Sequence, residues 1–408
     1  MIFLFVFLLE VALLCLGEKR LWGTFFTPLN FLSFPYTFVT LVAIIYSYIS
    51  AEIPDFYYPA LSVWMLGLFI FFLPSVFFSL ANRHKENVVR IIIGKRDDYY
   101  RLLLAVALVC IIISFFRIHS TYSTFGVSFG SDEFSEEYEA KGILSHISVL
   151  MSAIFSYMIY KVDASHKFAY LVLCLALVGM YAVGVKSWII APFLIGYYAR
   201  IVSGKTKFSV KTILLPAIVC ILIFILSYYI IMVVSGKSEL TVSWFTFIVN
   251  HFVDYLSGGS LSFSLDIEKG ILEPEMTKAL FAPVINLCNF LIGDKYISSI
   301  NPVFLSIGSL GETNVRTFMG TIWVYAQNPF IFIMTILLFS IVFYLIFYYS
   351  RHSTNLFMVL SNCSDIAFLT LGFFDFYWLT LGAYEITIIF LLLSIISRVT
   401  LKTDEYKK

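Results

Sequence analysis

Few side chains in this 408-residue chain could do chemistry, and most stand at the edges of apolar runs. Lys186 is the lone charge in residues 168–199. A charge at the centre of the hydrocarbon costs roughly 2.5–3.5 kcal/mol on insertion scales, so Lys186 belongs at the outer tip of a hairpin. It is there either as a lysine snorkelling to headgroup level or as a fixed cation for a phosphate. Arg316 falls in Gly-Glu-Thr-Asn-Val-Arg-Thr-Phe, residues 311–318. Asn314 can cap a helix beginning at Val315, where free backbone N–H groups favour anions. A guanidinium adds a planar fork suited to phosphate or carboxylate, or else it pairs with Glu312 four residues back. His251, Asp254 and Tyr255 recur at three- and four-residue steps. They either position a hydroxyl and relay a proton, or form the wet side of an interfacial helix. Arg117 and His119 are interface anchors or headgroup contacts.

The elements that must hold these groups are membrane helices. The chain is 60% hydrophobic and 18% aromatic, with a mean hydropathy of +0.91. A soluble chain is nearer about 45–50% apolar, so the composition indicates a polytopic membrane protein. The net charge of +1 and the lack of a basic stripe leave no case for nucleic acid. The six cysteines (Cys15, Cys110, Cys174, Cys220, Cys288, Cys363) have neither metal-ligand nor disulfide-framework spacing, and five fall in expected spans. The first apolar run has no basic region before it and no small-residue cleavage site after it, and it reads as a retained span. There is no Walker loop, Gly-x-Ser-x-Gly elbow or His-Glu-x-x-His helix, and no span shows the mid-membrane Asp/Glu/His relay of an ion-coupled pump. Hydrolase, ATPase and proton-driven carrier are disfavoured.

A membrane helix needs about 20 mostly apolar residues. On that measure the fold is all-α, with about eleven spans (ten to twelve) at residues 2–16, 31–49, 60–80, 102–116, 143–160, 168–185, 187–202, 213–234, 329–349, 356–374 and 377–396. Lysine and arginine are retained in the cytoplasm. Lys19 and Arg20, then Arg83, Lys85, Arg90, Lys95, Arg96 and Arg101, Lys161 and Lys167, Lys205, Lys207 and Lys211, Arg351, and Arg398, Lys402, Lys407 and Lys408 all share one side if the spans alternate. The opposite loops hold Glu52, Asp55, Asp132, Glu133, Glu136, Glu137 and Glu139. This places the N-terminus outside and the C-terminus in the cytoplasm. Residues 1–408 form one integral membrane domain, with 235–328 as its large extracytoplasmic loop.

Two outer segments remain. Residues 120–141 read as a loop or shallow re-entrant turn. In 241–256, Ser243, Thr246, Asn250 and Asp254 line one face and Trp244, Phe245, Ile248 and Phe252 the others, as in an interfacial amphipathic helix. Ser257-Gly258-Gly259-Ser260 is expected to break it, 261–269 to resume, and 279–291 to form a second interfacial helix.

Three stretches resemble the O-antigen polymerase (Wzy) family of membrane oligosaccharide repeat-unit polymerases. Gly184-Val185-Lys186-Ser187 is similar to its Gly-x-Arg/Lys-Ser element, and His251 to Ser260 contains its Tyr-x-x-Gly-Gly pattern at Tyr255, Gly258 and Gly259. Residues 313–318, followed by Gly320 and Tyr325, resemble its Thr-Asn-Val-Tyr-Thr-Phe block, with Arg316 where the family has tyrosine. The resemblance covers about a tenth of the chain in its motifs. It implies a metal-independent, cofactor-free glycosyltransferase at the outer face of the bacterial cytoplasmic membrane. Its partners would be undecaprenyl-diphosphate-linked glycan donor and acceptor, membrane lipids and, where one exists, a chain-length regulator. A hydroxyl of one glycan attacks the anomeric carbon of the other and displaces undecaprenyl diphosphate, for O-antigen, capsule or a related polysaccharide. Lys186 and Arg316 would hold the diphosphate, with Arg117 a possible third cation. His251, Asp254 and Glu312, in that order, are candidates for the base. Tyr255, Asn314, Gly258 and Gly259 complete the substrate-binding set. An O-antigen ligase is the nearest alternative, and a lipid-linked oligosaccharide flippase is the alternative of another class.

Overall fold

The computed structural model describes residues 1–82, 99–127, 129, 132–138, 143–163, 166–207, 209–234, 242–299 and 303–405. Arg83, Lys85, Arg90, Lys95 and Arg96, which weigh heavily in the orientation argument, lie outside this set, as does the 235–241 start of the long loop. The described chain is almost wholly helical: α1 (Ile2–Trp22), α2 (Pro28–Ile49), α3 (Leu61–Asn82), α4 (Tyr99–Phe125), α5 (Asp132–Tyr138), α6 (Ile143–Lys161), α7 (Lys167–Tyr181), α8 (Ser187–Val202), α9 (Val210–Val234), α10 (Val242–Lys269), α11 (Ala282–Ile292), α12 (Phe318–Tyr325), α13 (Pro329–Arg351), α14 (Leu356–Thr370) and α15 (Leu381–Glu405). A two-residue antiparallel ladder, β1 (Leu305–Ser306) with β2 (Glu312–Thr313), stands before α12.

Every expected span overlaps a helix. Among the described residues six helical stretches are long and apolar enough to cross a membrane: Pro28–Ile49, Tyr58–Ala81, Tyr99–Phe125, Pro329–Arg351, Leu356–Phe373 and Leu381–Arg398. The shorter apolar helices Lys167–Tyr181, Ser187–Val202 and Leu214–Tyr229 fall below that length. The protein is thus a helical, multi-pass membrane protein.

The chain divides into two compact units. Unit 1 comprises residues 1–86, 249–349 and 368–384. Its interior is aromatic and tightly packed. Ser340 on α13 donates to the Phe71 carbonyl of α3 at 2.6 Å, and the Phe71 ring meets Phe318 of α12 at 6.3 Å. Trp378 lies against Phe343 at 4.6 Å. Gly67 leaves room for Met319, since a Cβ there would lie 2.5 Å from its sulfur. Tyr344 donates to buried Glu18 at 2.7 Å.

Unit 2 comprises residues 87–248, 350–367 and 385–408. Gly196 of α8 passes close against the Ser156 carbonyl of α6, an approach that excludes any side chain. This unit also holds ionisable groups that the reading of the spans did not single out. Asp365, mid-way along α14, is buried and accepts from the Thr387 hydroxyl of α15 at 3.1 Å. His146 Nδ1 of α6 meets Glu385 Oε1 of α15 at 2.5 Å. Ionisable groups therefore do sit within apolar helices. In 361–365 (Ser-Asn-Cys-Ser-Asp) the run looks like ordinary helix, and the partner of Asp365, Thr387, comes from a different helix.

Two further boundaries differ. α4 continues through Phe125, so Arg117 is inside a helix rather than at a span's end, and 132–138 of the expected loop is α5. The last span starts at Leu381; residues 377–379 instead make a 3-10 turn.

Candidate functional site

Unit 1 gathers two of the three motif stretches into one place. α10 is unbroken through Ser257-Gly258-Gly259-Ser260, and every residue from 257 to 266 is buried. This overturns both the expected break and the interfacial setting of its second half. Glycine raises the cost of a helix by about 1 kcal/mol without stopping it. Here the small residues serve close packing: a Cβ at Gly259 would lie 2.6 Å from the Phe374 carbonyl oxygen and 2.9 Å from that of Phe373. Ser260 Oγ is 3.3 Å from Thr40 Oγ1, and Ser262 donates to the Val315 carbonyl.

The 313–318 block lies along this face. The helix after it starts at Phe318, not Val315, and its cap is Thr317, not Asn314. β2 and the coil through Arg316 hold the chain extended that far. Thr317 Oγ1 accepts from Gly320 N and from Trp64 Nε1, both at 3.2 Å, and its own amide donates to the Phe374 carbonyl at 3.0 Å. With φ 78 and ψ 163, Thr317 is the one non-glycine residue with positive φ among those described. That region is nearly confined to glycine and costs on the order of 1–3 kcal/mol, so Gly320, Trp64 and Phe374 must hold it there.

Arg316, next to it, is almost fully buried and pairs through Nε with Asp266 Oδ2, while Nη2 lies 3.9 Å from Glu273 Oε1. A third carboxyl, Asp375, accepts from Thr321 Oγ1 and from the Phe376 amide at 2.7 Å each and also feels the Arg316 charge. Burial raises Asp266 to about 7 despite the guanidinium beside it, and burial likewise raises Asp375. The expected Arg316–Glu312 pair is therefore replaced by a buried cluster of Arg316, Asp266 and Glu273, with the half-buried Asp375 within range of the same charge. In this arrangement Arg316 neutralises carboxylates and does not face a passing diphosphate. Glu312 is exposed on β2.

Nearer the start of α10 the setting is more open. Asp254 is half-buried, and burial raises its carboxyl to about 6. A Cβ at Gly258 would lie 3.0 Å from Asp254 Oδ1 and 3.7 Å from Thr313 Oγ1, so a carboxyl and a hydroxyl meet beside this glycine. Tyr255 stacks flat on Phe374, with centroids 5.4 Å apart and planes 3° apart. His251 and Asn314 are half-buried.

The remaining two candidates belong to unit 2. Gly184, at φ 77, turns the chain between α7 and α8, and Lys186 takes the cap position of α8. Its Nζ donates to Tyr228 Oη at 3.3 Å and lies 4.4 Å over the Tyr228 ring and 5.5 Å from that of Phe224. Arg117 donates to the Tyr138 carbonyl and stacks 4.2 Å over its ring. Each cation is thus held in an aromatic contact rather than extended into solvent.

Asp254, Tyr255, Gly258 and Gly259 share one unbroken stretch of α10, where a break was expected between Tyr255 and Gly258. Thr317, Asp266, Glu273 and Asp375 were missed. The available signal was Arg316 itself, since a buried guanidinium demands carboxylates from elsewhere in the fold.

Among known proteins, the profile described as "Family of unknown function (DUF6337)" matches residues 52–403, well over half of the chain. No curated protein and no solved structure matches. The chain belongs to the DUF6337 family.

Proposed function

We propose that the protein is a membrane glycosyltransferase that polymerises undecaprenyl-diphosphate-linked oligosaccharide repeat units at the outer face of a bacterial cytoplasmic membrane. The observation that supports it most is the meeting of two motif stretches 62 positions apart at their first residues, 251 and 313. Gly258 abuts Asp254 and Thr313, and Gly259 abuts Thr317 and Phe374. In this reading the attacking hydroxyl forms the new bond to the anomeric carbon as the bond from that carbon to the diphosphate oxygen breaks. The hydroxyl proton passes to Asp254, which displaces His251 as the first choice of base because its raised carboxyl suits proton transfer near neutrality. Undecaprenyl diphosphate departs with the electron pair, and a cation beside the diphosphate would stabilise it. The outward orientation and eleven-span topology are part of the same proposal.

Deletion of the gene with analysis of the lipid-linked glycan tests it. Single repeat units on lipid support polymerase, full-length glycan retained on the carrier would mean ligase, and units trapped in the cytoplasm would mean flippase. The flippase reading draws on one observation of its own, the buried Asp365–Thr387 contact within unit 2.

A further inference from the structure

Residues 279–293 contain no charged side chain and are bounded by Lys278 and Asp294. Fifteen such residues are too few to cross a bilayer, which takes about 20, and they suit a segment that enters and returns on one side. The packing in unit 1 gives the depth. Phe281 stacks on Phe339 of α13, with centroids 6.1 Å apart and planes 10° apart. α13 is apolar enough to span and begins at Pro329. At 1.5 Å per residue Phe339 lies about 15 Å along it, near the middle of a core of about 30 Å. The preceding turn is held at the other level: Thr277 donates to the Tyr325 carbonyl at 2.7 Å, just before α13 begins.

From Phe281 onward the chain is buried at Ala282 and Pro283 and then presents apolar side chains outward along α11. Val284, Leu287, Phe290 and Leu291 are 51%, 60%, 67% and 75% exposed. A water-facing helix would not gather these. The two polar side chains of α11 are both turned to local backbone. Asn286 exchanges two hydrogen bonds with Ile297, at 2.9 and 2.7 Å, and Asn289 donates to the Lys295 carbonyl at 2.7 Å. Satisfying polar groups internally is what hydrocarbon requires. α11 has 11 residues, a rise of about 16 Å, which returns Asp294 and Lys295 to headgroup level from the depth of Phe281.

We infer that residues 274–293 form a re-entrant hairpin whose α11 face is seated in the acyl chains of one leaflet, rather than a helix lying on the outer surface. This rests on α13 crossing the membrane and is independent of the glycosyltransferase reading.

The test is spin-label accessibility in the full-length protein reconstituted in phosphatidylglycerol/phosphatidylethanolamine vesicles. Single labels go at Val284→Cys, Leu287→Cys and Lys295→Cys, with Cys174, Cys220 and Cys288 replaced by serine. The expected result is loss of broadening by a water-soluble nickel chelate, with strong broadening by oxygen, at 284 and 287, and the reverse at 295. In a second background that keeps Cys288, this exposed thiol of α11 gives a reading without any new substitution in the helix, expected between those extremes. Nickel access at 284 equal to that at 295 would overturn the proposal. So would equal shallow depth at 284, 287 and 288, which means an interfacial helix. Exclusion of both reagents would show the face covered by protein and would also overturn it.

Discussion

Unit 1 places two acidic settings on the same helix, and they differ in what surrounds them. Asp266 is sealed, paired with Arg316 and close to Glu273. Asp254, twelve residues earlier and about 18 Å along the axis, is half-buried beside Gly258 and Thr313. Both carboxyls are raised by burial, to about 7 and about 6. The lesson is that a shifted carboxyl does not mark a reacting group by itself. At Asp266 the fold has used the acid to hold a cation in the interior, whereas Asp254 stays half-buried beside Gly258 and is the base in the proposed reading. The cluster is expected to respond to mutation through stability and the open setting through activity.

The largest effect should follow Arg316→Ala. It leaves Asp266 and Glu273 buried without their cation, and breaking a buried pair typically costs about 3–5 kcal/mol. Loss of the monodisperse peak in detergent, or a large fall in melting temperature, is the expected outcome. An Arg316→Ala protein that melts as the parent does but makes no polymer would move Arg316 out of the structural cluster and back to the diphosphate.

Asp254→Asn separates the two settings from the other side. Loss of a general base typically costs about 10²–10⁴ in rate, with little change in melting temperature. Polymer formation by the parent should rise with pH through about 6 as Asp254 loses its proton. Stability runs the opposite way. The folded carboxyl lies above its ordinary 3.8, so this group's contribution is present below about 4 and lost as pH climbs to about 6. Unchanged repeat-unit polymerisation in Asp254→Asn would remove it as the base.

The paired glycines give a finer contrast. Gly259→Ala would drive a Cβ into the carbonyl oxygens of Phe373 and Phe374, and overpacking of this kind costs about 1–3 kcal/mol. Gly258→Ala meets first the Asp254 side chain, which can swing. The gain of up to about 1 kcal/mol in helix propensity should offset the crowding, leaving stability close to the parent's while polymer yield falls. Equal melting temperatures for the two variants would show that α10 does not pack here as described.

Much of this molecule is legible in its sequence because a bilayer admits few solutions. Runs of about 20 apolar residues must be helices, and each expected span overlaps one. What could not be read was the tertiary use of small and charged residues. Ser257 to Ser260 look like a helix breaker locally, and only the backbone of 373–374 explains why they are helical. Thr317 violates its own conformational preference because Gly320, Trp64 and Phe374 outweigh it. Arg316 suggested a pair with Glu312 because sequence shows neighbours four residues away, not an acid fifty positions upstream.

Glu312 is where the smallest effect is expected, and it sharpens the comparison for that reason. It lies exposed on β2, one residue before Thr313, opposite Ser306 in the ladder. Replacing an exposed carboxylate away from caps and buried pairs usually changes stability by less than about 0.5 kcal/mol. Glu312→Gln should therefore melt with the parent and retain its glycan length distribution, in the same assay in which Asp254→Asn stops at single repeat units. If Glu312→Gln stops there instead while Asp254→Asn polymerises normally, the base resides on the exposed hairpin, and the half-buried carboxyl on α10 is structural like its neighbour Asp266.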